Sequence, residues 1–506
     1  MKLVLSTTIM TNHKSRSSGI LLHPTSLPGP FGVGDFGAEA RAFVDFLACG
    51  GQRLWQVLPL GPTGYGHSPY QSLSAFAGGT LLIDPYQLVE DGLLAETDIV
   101  NTPIADDEVN FEGAQALKEP LFNQAYENFK SHARASLRSE FEAFCEQNSF
   151  WLDDYALFSA LKQTYGGLDW INWDQSLARR EPAALTQACQ SLHDQIAALK
   201  FFQFLFFKQW QSLRGYCHER NIEIIGDLPI FVAYDSADVW AHRDYFKLDQ
   251  DGKPIVVAGV PPDYFSETGQ LWGNPIYDWE RLRAEGFGWW IDRVRVAFEM
   301  FDLLRVDHFR GFAACWEIPA GDPTAENGEW VPAPGRELFA ALTKNLGKLR
   351  IIAENLGVIT PDVESLRDEF GFPGMRVLQF AFGSDATNVH LPHNYTRDTV
   401  AYTGTHDNDT TVGWFAKLDQ KERDACLKYL ATDGKEIHWE MIRAAYASVA
   451  DIAMVPLQDV IGLGAEARMN LPASSSGNWL WQFRREQLDE DAAKRLRGMT
   501  ELYGRG

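Results

Sequence analysis

Cysteine, cationic charge and long apolar runs are all scarce in this chain, and each scarcity excludes something. Its 506 residues hold six cysteines, Cys49, Cys145, Cys189, Cys217, Cys315 and Cys426, with no Cys-x-x-Cys pair and no nearby histidine partner. Neither a disulfide framework nor a zinc site is therefore expected, and the thiols read as reduced core groups. The greasiest stretch, 197–210, is interrupted by Lys200, Gln203 and Lys208. It falls well short of the roughly 20 apolar residues a membrane span requires and reads as a packed aromatic helix. Residues 1–18 have one short apolar stretch, Leu3 to Leu5, followed by polar and cationic residues, so they lack the core of a secretory signal. They are expected to form a flexible N-terminus of a cytoplasmic protein without a membrane partner. No Gly-x-Gly-x-x-Gly follows the first apolar run, and no phosphate-cradling or His-rich signature appears, so neither a metal nor an organic cofactor is expected. Lys and Arg number 45 against 68 Asp and Glu, a net charge of -23. Nucleic acid would be repelled, whereas a neutral, polyhydroxylated ligand would not.

What the chain does have is a recurring alternation. Short apolar runs ending in Gly, Pro or a polar residue occur at 19–23, 53–60, 222–229, 301–308, 349–356, 375–382, 399–407 and 454–459. Segments of helical period, such as 38–49, 289–299, 337–345 and 435–450, lie between most of them. Eight strand and helix units predict an α/β fold of the (β/α)8 TIM-barrel type over residues 19–506. Two spacings are too long for a simple barrel. An insertion after strand 2, 61–200, shows helical patterns at 117–147, 151–163 and 181–216, the last rejoining the barrel. A second, 232–290, follows strand 3 and includes a Pro- and Gly-rich run at 260–275, read as an active-site loop or lid. Little chain follows the eighth strand, so no C-terminal β-sandwich domain is expected.

Three carboxylates stand directly after such runs: Asp307, Glu354 and Asp407. At the carboxyl ends of buried parallel strands they would sit on the catalytic rim of a barrel. Burying three carboxylates on separate strands is costly without a functional reason, and the arrangement points to sugar chemistry. Cleaving a glycosidic bond with retention needs an acid for the leaving oxygen and a carboxylate to trap the sugar carbon. Arg305, two residues before Asp307, points to the same side of a strand, and its guanidinium would keep the aspartate ionised as a nucleophile requires. Glu354 follows Ile351, Ile352 and Ala353, an apolar setting that would raise its pKa and keep it protonated as the acid. Asp407, beside His406, would hold sugar hydroxyls and stabilise positive charge in the transition state.

The residues also carry a resemblance. Arg-Val-Asp-His-Phe-Arg-Gly at 305–311, Ala-Glu-Asn-Leu-Gly at 353–357 and Thr-His-Asp-Asn at 405–408 resemble the catalytic signatures of the 4-α-glucanotransferases. These enzymes, called amylomaltases or disproportionating enzymes, are relatives of the α-amylases. His-Pro-Thr-Ser-Leu-Pro-Gly at 23–29, Trp-Gln-Val-Leu-Pro-Leu-Gly-Pro-Thr at 55–63, Ser-Pro-Tyr-Gln at 68–71, Gly-Asp-Leu-Pro-Ile-Phe-Val at 226–232 and Arg-Met-Asn at 468–470 extend it over most of the chain. The resemblance implies Asp307 as nucleophile, Glu354 as acid/base and Asp407 as transition-state stabiliser, assisted by His406 and Arg305. It implies that Asp227 fixes Arg305, and that Tyr70, His308 and Asn470 touch the glucan. Asp227 alternatively reads as a capping or ion-pair residue. Tyr264 and Trp272, in the segment matching the family's mobile loop, either stack on glucose rings or simply pack. The implied partners are α-1,4-glucans and glucose.

Gly79-Thr80, Cys315, Ala473 and His67 depart from the family's usual residues, without touching the three carboxylates. The carboxylates alone do not choose between transfer to a glucan 4-hydroxyl and hydrolysis, because both follow the same covalent intermediate. An α-amylase-type hydrolase is the alternative among enzymes, disfavoured by the lack of an acidic calcium loop. A non-catalytic glycan-binding protein would be expected to have lost a carboxylate.

Overall fold

The computed structural model describes residues 16–99, 108–262, 266–472, 474 and 476–506. Twelve strands are present among them. In chain order these are β1 (Ser17–Leu21), β2 (Leu54–Gln56), β3 (Glu223–Pro229), β4 (Val256–Val260), β5 (Gln270–Pro275), β6 (Leu303–Asp307), β7 (Ala314–Pro319), β8 (Glu329–Pro332), β9 (Ile351–Ala353), β10 (Gly374–Val377), β11 (Thr399–Tyr402) and β12 (Ile452–Pro456). Eight of them close a barrel in the order β1-β12-β11-β10-β9-β6-β3-β2, with β2 paired back to β1. All eight pairings are parallel. Each expected strand is found, and the near-continuous apolar runs reflect burial on both faces, between barrel interior and surrounding helices. The first strand starts at Ser17, so Ser17 and Ser18, expected in the N-terminal tail, belong to the barrel; the rest of that expectation, residues 1–15, lies outside the described residues.

Alternation along the strands organises the bore. Leu54, Ile225, Leu303, Ile352, Met375, Val377, Val400, Tyr402 and Met454 form one buried apolar cluster inside it. Gly19 leaves space on β1, where a Cβ would lie 2.4 Å from the Leu54 carbonyl oxygen. Two residues further along β3 and β6, the same face carries Asp227 and Arg305, paired in register. The next inward position on β6 is Asp307. A second cluster, outside the barrel wall, joins the strands to the helices and to the aromatic insertion.

The segment between β2 and β3 is helical as expected, with different breaks. One helix spans Phe111–His132 and the next Ala135–Thr164, so the chain turns at Ala133 and Arg134 and not near 148–150. The helix His193–Glu219 runs straight through residue 200 into β3, so the inserted segment has no boundary there. Its Phe and Trp side chains pack against a neighbouring helix and the entry to β6, as in the contacts of Phe201 with Phe129 and Trp210 with Phe301. The segment after β3 is not the turn-rich loop that its sequence predicts. β4 and β5 pair antiparallel and join β7 and β8, from beyond β6, in a four-stranded sheet ordered β5-β4-β7-β8. The insertion is thus split across two barrel loops. Among the described residues no helix is long and apolar enough to cross a membrane.

Candidate active site

The three carboxylates converge at the carboxyl end of the barrel: Asp307 ends β6, Glu354 follows β9, and Asp407 lies in the loop after β11. Arg305 bridges the first of them to a deeper partner. Its Nη2 donates to Asp307 Oδ1 at 2.8 Å, while Nη1 donates to Asp227 Oδ1 and Oδ2 at 2.8 and 2.6 Å. The guanidinium is buried. Burial alone would lower its pKa, but Asp227 and Asp307 together push it well above the ordinary value. Tyr70, from the loop after β2, donates its hydroxyl to Asp227 Oδ2 at 2.8 Å. Asp227 is therefore an ion-pair residue beneath the rim, and its register opposite Arg305 explains how. Among the described residues only Arg305 bonds Asp307, and it uses Oδ1.

Glu354 occupies a contrasting environment. Burial raises its pKa to about 7, and the neighbouring negative charge of Asp307 adds to the rise. Arg305 and two backbone donors oppose it. Those donors are His308 N, 2.8 Å from Oε2, and Leu356 N, 2.7 Å from Oε1. His308 adopts the left-handed conformation, φ 50°, ψ 52°. A non-glycine residue there is strained, and the strain turns its N–H toward the carboxyl group. Its imidazole is half-buried, and desolvation lowers its pKa to about 4. Trp272 on β5 meets it nearly edge-on, at 4.7 Å and 87°, with Phe231 alongside.

Asp407 is held by the loop after β12. Asn470 Nδ2 donates to its Oδ1 at 2.6 Å, and Arg468 Nη2 to its carbonyl oxygen at 2.5 Å. His406 Nε2 lies 3.3 Å from the same Oδ1. The His406 ring stacks on Tyr70 at 5.2 Å, and Trp479 packs against both. Tyr70, Asp227, Arg305, His308, His406 and Asn470 thus surround the carboxylates, with Trp272 at the edge. Tyr264 lies outside the described residues, as does Ala473. The other atypical positions have local partners: His67 stacks on Phe111 and bonds Glu112, and the buried Cys315 thiol donates to Gly311 O.

This arrangement has a known counterpart. A family model described as 4-alpha-glucanotransferase matches residues 22–488. The chain belongs to the 4-alpha-glucanotransferase family. It is 51% identical to the 4-alpha-glucanotransferase of Synechocystis sp. over 495 residues, covering 97% of this chain and 98% of that one. Identity to the enzyme of Thermus thermophilus is also 51%, over 498 residues, 97% of this chain and 99% of that one. The solved structure of an amylomaltase from Streptococcus agalactiae in complex with acarbose superimposes with a TM-score of 0.94 at 42% identity, covering 97% of this chain and all of that one. As a member of this family the chain is an enzyme that transfers glucan segments.

Within the family's rim geometry, sequence reasoning had passed over three supports. Trp479, in the left-handed region at φ 67°, packs on Tyr70 and His406 from a segment with no distinctive motif. Gln56 Oε1 accepts from the Tyr402 hydroxyl at 2.8 Å, a pair across the bore that only the strand order brings together. Arg468 belongs to the Arg-Met-Asn motif, and an arginine two residues before a site asparagine is a usable signal for its bond to Asp407 O.

Proposed function

We propose that this chain transfers α-1,4-glucan segments by a retaining double displacement through a covalent bond to Asp307. The observation that carries the reading is the contrast between the two carboxyl groups: Asp307 is ion-paired with Arg305, while Glu354 is half-buried and desolvated, with its pKa raised to about 7. In the first step an Asp307 oxygen attacks the anomeric carbon, the C1–O bond breaks, and the Glu354 proton passes to the departing 4-oxygen. In the second, Glu354 removes the proton of an acceptor 4-hydroxyl, which displaces Asp307 and restores both groups. Asp407, held by Asn470 and His406, binds sugar hydroxyls and stabilises the cationic transition state. His308 and Trp272 line the approach, and Tyr264 belongs to the same segment as Trp272.

One α-1,4 bond is exchanged for another, so the reaction needs no energy input. The substrates are maltooligosaccharides, amylose and glucose, not nucleic acid. Six free cysteines support residence in the reducing cytoplasm. The chain between β2 and β3 forms the helical subdomain, and the strand pair after β3 brings Trp272 to the site; exclusion of water from the acceptor side favours transfer over hydrolysis.

Maltotriose alone tests the proposal. Products are resolved by length while total reducing ends are assayed. Longer glucans plus glucose at constant reducing ends are expected. A rise in reducing ends without longer products would identify a hydrolase in its place. Trapping a 2-deoxy-2-fluoro or fluoride-donor intermediate on a peptide containing Asp307 tests the covalent step separately.

A further inference from the structure

Arg310 lies in the turn after β6, touches neither Asp307 nor Asp407, and is nonetheless buried. Its Nη1 donates to Val358 O at 2.6 Å and to Thr360 Oγ1 at 3.2 Å, both in the loop that follows Glu354. The guanidinium carbon sits 3.7 Å from the centroid of the Trp330 ring. Trp330, on β8, faces Trp316 directly across the β7–β8 pair, 5.2 Å away. A carbonyl acceptor, a hydroxyl acceptor and a π face fix the plane of the group, which a lysine ammonium would not reproduce.

What Arg310 joins is significant. One loop carries Leu356 N, the donor to Glu354 Oε1, and the turn containing Arg310 carries His308 N, the donor to Oε2. We propose that Arg310, braced on Trp330, is a positioning residue that holds together the two backbone segments aiming Glu354. The antiparallel sheet thereby reaches the acid/base group from outside the site. This rests on the reading of Glu354 as the acid/base residue.

Loosening the two segments weakens N–H bonds that favour the charged carboxylate, so the pKa of Glu354 rises. The charged groups facing Glu354 are Asp307 and Arg305 from β6, the titratable but neutral imidazole of His308 stands in the turn, and Asp362 faces Arg310. Substituting Trp330 leaves all of them in place.

The test compares Arg310→Lys, Trp330→Leu and Trp330→Phe with the unaltered enzyme, each checked by thermal melting. Turnover of maltotriose is followed across pH, and fluoride release is measured from α-maltosyl fluoride, whose leaving group departs without protonation. Arg310→Lys and Trp330→Leu are expected to lower kcat on maltotriose about tenfold with KM little moved. The alkaline limb of kcat/KM should shift upward by about half a pH unit or more. Fluoride release should fall far less, and Trp330→Phe, which keeps a π face, should recover most of the loss. An unmoved limb in folded Arg310→Lys overturns the proposal, as does an equal loss with both donors. Should the leucine variant fail to fold, Arg310→Lys decides alone. Glu354→Gln serves as the control: if it still turns over maltotriose, the acid/base reading itself fails, whatever the Arg310 variants do.

Discussion

The lower and upper halves of the barrel bore are built from the same strands and have opposite chemistry. On β3 the inward positions run Ile225, then Asp227; on β6 they run Leu303, Arg305, Asp307; across β9 they run Ile352, then Glu354. Two residues along a strand, one step of the pleat, separate a dry hydrocarbon layer from an array of buried charge. The lower layer contributes stability and has no groups that react. The upper layer costs desolvation, and the ion pairs and backbone donors described above offset part of that cost. The division of labour runs along the barrel axis, not around it.

Four changes would break or sharpen that contrast. The largest effect belongs to the upper layer. Asp307→Asn should reduce glucan transfer by on the order of 10^6-fold, the scale seen when a covalent nucleophile is removed. Its melting temperature should stay near that of the parent, because Arg305 keeps Asp227 as an ion-pair partner. Steady-state assays with maltotriose and a melting curve on the same sample check both halves. A large fall in stability would show that the rim charge is structural after all.

The lower layer should answer in the reverse sense. Ile225→Ala leaves a void in a fully buried cluster and should cost about 2–5 kcal/mol of unfolding free energy. Transfer per folded molecule should remain close to the parent's. Denaturant titration and kcat at a temperature well below the new midpoint would establish this. A loss of kcat comparable with that of Asp307→Asn would mean the two layers are mechanically coupled.

How much of this partition could be read from the chain depended on whether it is local. The eight barrel strands were legible, since burial on both faces writes continuous apolar runs, and the carboxylates were legible as the residues that end them. That Arg305 and Asp307 share a face follows from the period of two. The pairing of Arg305 with Asp227 is another matter: it needs β3 beside β6, although β4 and β5 intervene in sequence. The antiparallel sheet escaped because β5 reads Gln-Leu-Trp-Gly-Asn-Pro and β8 is only Glu-Trp-Val-Pro, segments whose glycine and prolines signal turns. Cross-strand pairing, such as Trp316 with Trp330, overrides that signal. The helix break at Ala133 and Arg134 lacks both glycine and proline, while Pro120 sits within a helix that continues past it.

A third change places one upper-layer group in the lower layer's role. With Glu354 at about 7 in the folded protein and near the ordinary 4.5 when unfolded, the folded state binds the proton more tightly. The associated stability is fully present below pH 4.5 and is lost as pH rises through 7. Above pH 7 the parent must hold a desolvated charge beside Asp307, whereas Glu354→Gln has none there. The variant should therefore be inactive on maltotriose yet more stable than the parent at pH 8, by on the order of 2–3 kcal/mol. The advantage should vanish near pH 4.5. Melting curves of both proteins at pH 5, 6.5 and 8 would reveal the crossover, and parallel curves would place the Glu354 pKa elsewhere. For the parent, kcat/KM should decline about tenfold per unit above pH 7, as the acid loses its proton.

The smallest expected effect lies at the edge of the rim, where the contrast between layers fades. Trp272 is half-buried, touching His308 and Phe231 while keeping part of its ring exposed, so packing and sugar stacking draw on the same side chain. Removing it should separate them. If stacking dominates, Trp272→Ala weakens binding of long glucans by about tenfold, the value of one aromatic contact, while maltose and glucose as acceptors are nearly unaffected. If packing on His308 dominates, the ring of His308 loses a neighbour, the left-handed turn that aims its N–H at Glu354 loosens, and kcat falls for every chain length alike. Acceptor-length series of KM and kcat distinguish the two outcomes. The first is expected, because His308 N is already fixed by its bond to Glu354 Oε2 and by the register of β6, neither of which involves the tryptophan.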